Sequence, residues 1–73
     1  MQNAYLERRH MQKLSIAALR INSKMTQEDV ANALGITVLS YRNKENGLSE
    51  FKFSELLILS ELFKCDISIF KHP

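Results

Sequence analysis

Two glycines, Gly35 and Gly47, punctuate a 73-residue chain whose one proline, Pro73, is its last residue. With no interior proline, nothing forbids helix along the chain. The glycines then mark where helices stop, because a left-handed conformation costs glycine nothing. Their separation leaves room for one short helix between two turns. That arrangement narrows the fold more than any feature of composition.

Upstream of Gly35 the apolar spacing is helical. Leu6, His10, Leu14, Ala17 or Ala18, and Ile21 recur at steps of three and four, as one face of a helix does. The stretch runs to Asn22 from about Ala4, or from Met11. Asn22-Ser23-Lys24 reads as a break, rich in residues that bond their own backbone. Thr26 is an N-cap for the next segment, with the acid Asp29 in its first turn near the positive dipole end. Val30, Ala31 and Leu34 face inward there. Thr37 is a second cap, opening a helix through Glu45 that ends at Asn46-Gly47. Leu48 to Lys52 is a loop. Ser54 is expected to cap a fourth helix reaching about Phe63, with Leu56, Leu57, Leu59, Leu62 and Phe63 as its apolar stripe. Asp66 caps a short last turn carrying Ile67, Ile69 and Phe70. No segment alternates with the period of a strand. The expected architecture is all-α, with five helices.

A chain this short holds one domain. It buries only about 60% of the surface its unfolded form exposes, so a partner subunit would help it. Residues 1–10 read as an N-terminal extension or leader, and 11–73 as the folded domain. The hydrophobic fraction, 45%, is too high for disorder. Net charge is +2, and its distribution is uneven: through Lys52 there are 8 Lys/Arg against 5 acids, and from Phe53 onward 2 against 3. A basic first two-thirds suits a polyanion-facing half.

Cys65 is the single cysteine, which excludes an internal disulfide and a thiolate zinc set and fits a reducing cytoplasm. It reads as a small buried hydrophobe. The aliphatic run Leu56-Leu57-Ile58-Leu59 is far too short to span a bilayer. His10 and His72 have no partner at ligand or triad spacing, and no phosphate loop or nucleophile–base pair occurs. Enzymatic activity, a metal and a cofactor are therefore not expected. Phe51, Phe53, Phe63 and Phe70 read as core and interface.

Two short helices around a tight glycine turn are the geometry of a helix-turn-helix. Each requirement can be matched to a residue. Ala31 is the small residue where the helices cross, Gly35 the left-handed turn, Ile36 the apolar plug and Tyr41 the bulky anchor of the second helix. Val30 and Leu34 complete the core. The chain here resembles the Cro/repressor-type helix-turn-helix family, over about Ile16 to Phe70. The resemblance rests on Leu19-Arg20, Met25 to Ala31, Leu34-Gly35-Ile36-Thr37 and Glu45-Asn46-Gly47.

That resemblance implies a compact five-helix, lambda-repressor-like domain that binds double-stranded DNA. It implies that Gln27 contacts a phosphate through its amide and that Arg20 and Glu45 form a partly buried salt bridge. It makes Thr37 to Glu45 the recognition helix in the major groove. With Tyr41 inward, Leu39 and Asn43 lie about 160° away on the outer side. Asn43 could pair with adenine, and Leu39 or Val38 could touch a thymine methyl. Ser40, Arg42 and the backbone amides near Asn46-Gly47 are expected at phosphates.

Lys44 stands where relatives place an apolar residue, so its stem is expected to line the core while the ammonium snorkels out. Lys24 stands where a glycine often ends the first helix. The loop Leu48-Ser49-Glu50 lacks basic residues, which points to dimeric binding. Leu62, Ile67, Ile69 and Phe70 exceed what one small core needs, and are expected to form a homodimer contact. The expected function is a sequence-specific transcriptional regulator, a repressor. The alternative is a protein-interaction module, antitoxin- or antirepressor-like, that keeps the fold without operator binding.

Overall fold

The computed structural model describes residues 15–70. It contains four α-helices, α1 (Ile16–Asn22), α2 (Gln27–Leu34), α3 (Val38–Glu45) and α4 (Phe53–Leu62), followed by a 3₁₀ helix over Ile67–Phe70. The class is all-α, but the fifth helix is a single 3₁₀ turn, too short to close α-type hydrogen bonds.

The first helix begins later than its periodicity suggests. Ser15 is extended and its hydroxyl oxygen accepts from the Ala18 N–H at 3.0 Å. That cap rules out one continuous helix from Ala4 or Met11 to Asn22. Leu6, His10, Leu14 and His72 lie outside the described residues, as does the expected leader. Ile21 was expected on the buried face yet is 62% exposed, while Ile16 and Leu19 pack against the core. A face assigned by counting forward from Leu6 does not carry over to a helix that starts at Ile16, behind the Ser15 cap.

Helix α2 opens with a reciprocal capping box. Thr26 Oγ1 accepts from the Asp29 N–H, and Asp29 Oδ2 accepts from the Thr26 N–H, satisfying two otherwise orphaned donors. Thr37 Oγ1 accepts from the Ser40 N–H in the same way at the start of α3. Helix α4 is capped differently. Ser54 lies inside it, and the cap residue is Lys52, whose N–H donates to the buried Glu55 carboxylate at 2.8 Å.

All four α-helices end with the same closure. The residue just after a left-handed one bonds back across five positions: Met25 to Arg20, Ile36 to Ala31, Leu48 to Asn43 and Cys65 to Ser60. Each closure needs one residue at positive φ. Gly35 (74°) and Gly47 (82°) fill two of these places, but Lys24 (59°) and Lys64 (54°) fill the others, where a side chain is strained.

The core is Val30, Ala31, Tyr41, Leu59, Phe63 and Phe70. Helices α2 and α3 form its centre and α4 covers them. Leu34 and Ile36 sit against it, half-buried. Tyr41 also meets the Phe51 ring, centroids 6.0 Å apart. Phe70, expected at a dimer contact, is buried in its own core, with Leu62, Ile67 and Ile69 partly buried beside it. Phe53 and Leu57, expected inside or at an interface, are exposed. Cys65 is partly buried and packs against the core; burial, then the neighbouring Asp66 charge, pushes its thiol up from the ordinary range.

Candidate nucleic-acid interface

Helix α3 is fixed from its C-terminal half. Glu45, its last residue, has a side chain only 4% exposed, and a buried carboxylate must be paired. Arg20 on α1 supplies the charge, with Nε 2.7 Å from Oε2 and Nη2 3.4 Å from Oε1. The Tyr41 hydroxyl donates to Oε2 at 2.6 Å and the Gln27 amide to Oε1 at 2.8 Å. Both oxygens are thereby saturated. Arg20 Nη1 also donates to the Met25 carbonyl at 2.9 Å, tying the cluster to the α1–α2 turn.

Burial alone would raise the Glu45 pKa, but donation from Arg20, Tyr41 and Gln27 outweighs it and holds the carboxyl below the ordinary range. Burial, then its bond to Glu45, drives Tyr41 far above its usual value. The Glu45 bond likewise raises Arg20. All three therefore keep one protonation state through neutral pH.

The neighbouring residue is anchored in another direction. Lys44 does not snorkel: its ammonium lies 2.7 Å from Glu55 Oε1 on α4, the two side chains 10% and 8% exposed. The ammonium also stands 5.9 Å from the Phe51 ring centre, an attractive arrangement. Glu55 is pushed up by burial, but Lys44 and the Lys52 N–H outweigh this and lower it overall. An apolar residue would only fill this place; Lys44 adds a charged strut to α4. The hydroxyl of Tyr41 and this pair are what the sequence reading missed.

A family model described as Helix-turn-helix matches residues 16–70, more than half of the chain. The chain belongs to the Cro/repressor-type helix-turn-helix family. No curated protein and no solved structure matches it. As a helix-turn-helix domain it falls among DNA-binding regulators, and the match takes in all four α-helices and the closing 3₁₀ turn.

The outward residues of this helix-turn-helix domain differ in what holds them. Leu39 is 62% exposed, with Asn43 half-buried on the same side. Val38 turns partly into the core. Thr37 is exposed and caps α3, and Ser40 is half-buried. Asn46 is exposed. The amides of Asn46 and Gly47, expected at phosphates, instead donate to the Arg42 and Lys44 carbonyls at 3.0 and 3.1 Å; the closing turn of α3 uses them. Gln27 is half-buried, with one face of its amide on Glu45 and the other accepting from exposed Arg42 Nε at 3.1 Å. Among the described residues no helix is long and apolar enough to cross a membrane, and no group of three or more His, Cys, Asp or Glu is placed to hold a metal.

Proposed function

We propose that this protein is a sequence-specific, double-stranded DNA-binding transcriptional regulator, a repressor, that works in the cytoplasm as a homodimer. Helix α3 enters the major groove, with Leu39 and Asn43 reading base edges and Val38 at its leading end. Thr37, Ser40, Arg42, Asn46 and Gln27 lie on the phosphate side. The observation carrying this reading is Leu39, 62% exposed on a helix whose inner side is fully tied down. An exposed leucine there suits a thymine methyl.

The homodimer is supported by an apolar groove of about 350 Å³ lined by Phe53, Leu56, Ile67, Ser68 and Phe70, with Leu57 exposed on the same helix. Two-fold symmetry would space the half-sites by about 34 Å or a multiple of it. The same exposed apolar residues favour the second reading, a protein-interaction module.

Fluorescence anisotropy on random-sequence duplex across a salt series separates the two. Micromolar binding that weakens steeply with salt, followed by recovery of an enriched sequence in selection, is expected of the regulator. A folded protein that binds no duplex at low salt is the interaction module. Sedimentation at micromolar concentration checks the dimer; a monomer there contradicts it.

A further inference from the structure

We propose that Gln27 acts on DNA through Arg42, as a positioning residue, and that the Arg42 guanidinium makes the phosphate contact. This rests on the DNA-binding reading above.

Glu45 sets the orientation of the Gln27 amide. Its carboxylate is buried and can only accept hydrogen bonds, so the amide face that Gln27 turns toward it must be the NH₂. The carbonyl of the same planar amide then points the other way. There it accepts from Arg42 Nε at 3.1 Å, and arginine is donor-only. The orientation of the Gln27 amide is thus dictated by chemistry at both ends. A carbonyl oxygen turned toward the DNA side repels a phosphate unless a cation stands between them, and Arg42 is that cation.

The bond uses Arg42 Nε and leaves the two terminal nitrogens as a fork, the geometry that grips a phosphate bidentately. Arg42 lies about 100° round α3 from Tyr41, on the flank toward α2 and off the outer ridge of Leu39 and Asn43. That flank faces the backbone strand that the first motif helix crosses. Three hydrogen-bonded links, from Arg20 to Glu45 to Gln27 to Arg42, carry the rigidity of the buried ion pair to an exposed side chain. The guanidinium is thereby partly ordered before DNA arrives, and less side-chain entropy is lost on contact.

The test is a double-mutant cycle, read as binding of a labelled random-sequence duplex across a salt series, with thermal unfolding of each variant alongside. Arg42→Ala is expected to weaken binding about tenfold and to flatten the slope of log K against log salt by about 0.9. Gln27→Ala is expected to weaken wild-type binding several-fold and to change nothing further in the Arg42→Ala background. Gln27→Met, which keeps the apolar stem, replaces Gln27→Ala if the latter unfolds. Losses that multiply in the double variant mean that Gln27 touches DNA itself, and overturn the proposal while leaving the DNA-binding reading intact. Wild-type protein that binds no duplex at all overturns both.

Discussion

The two faces of α3 are built on opposite plans. Its inner face carries Tyr41, fully buried, and the consecutive pair Lys44 and Glu45, which reach to α4 and α1 through ion pairs, with Val38 partly buried beside them. Its outer face carries Leu39 and Arg42, both exposed, and half-buried Asn43. The register of the helix is therefore set by side chains that face away from the DNA side. Residues that would read bases can change without moving the helix that presents them. Stability and recognition occupy separate faces of one eight-residue element.

The largest effect expected from breaking this division is at Glu45. Glu45→Ala strands Arg20, the Tyr41 hydroxyl and the Gln27 amide together, and is expected to destabilise by about 3–5 kcal/mol, measured by urea unfolding. In so small a domain that consumes much of the total stability.

Next is the strut to α4. Glu55→Leu leaves the Lys44 ammonium buried and unpaired and removes the acceptor for the Lys52 N–H, with an expected loss of about 3 kcal/mol. Adding Lys44→Met is expected to recover most of it, because two apolar side chains replace a buried pair at little net loss. A double variant no more stable than Glu55→Leu alone would show that the strut contributes beyond charge pairing.

Acid should act on the same anchors. Glu45 and Glu55 are both lowered in the fold, so their stabilisation is complete above the unfolded value of about 4.3 and is lost as pH falls through the folded values. Unfolding midpoints are expected to hold from neutrality to about pH 5 and to drop below it, with a shallower drop in Glu45→Gln. An equal drop in that variant would place the acid sensitivity elsewhere.

Smaller effects lie outside the anchors. Lys24→Gly relieves a left-handed lysine at the end of α1 and is expected to raise stability by about 1 kcal/mol. Leu39→Ala is expected to leave stability within about 0.5 kcal/mol of wild type while weakening duplex binding. If Leu39→Ala destabilises as a core substitution does, the two faces are not separate.

The helix-turn-helix unit was legible because its signals are local. Thr26 with Asp29, Gly35, and Thr37 each act within four residues, and Val30, Ala31 and Tyr41 follow from helical period alone. The anchors depend on contacts the period cannot see. Lys44 and Glu55 are eleven positions apart across a loop, and only the fold shows that the lysine has a buried carboxylate to meet. The start of α4 was misplaced for a related reason: Ser54 carries a capping hydroxyl, but the Glu55 carboxylate satisfies the Lys52 N–H instead. Lys24 and Lys64 show the limit of glycine as punctuation, since the same closure forms at all four helix ends with and without it. At the candidate site, the family resemblance implied Gln27 and Arg42 separately; their mutual hydrogen bond follows from how Glu45 orients the amide.

The most direct test of the account is the map of backbone amide chemical-shift changes when duplex DNA is added to the protein. Changes are expected to concentrate from Thr37 to Asn43 and at Gln27, with the core around Leu59 and Phe63 quiet. Changes confined to the groove around Phe53 and Ile67, with Leu39 and Asn43 unmoved, would contradict it and make this helix-turn-helix domain a surface for another protein.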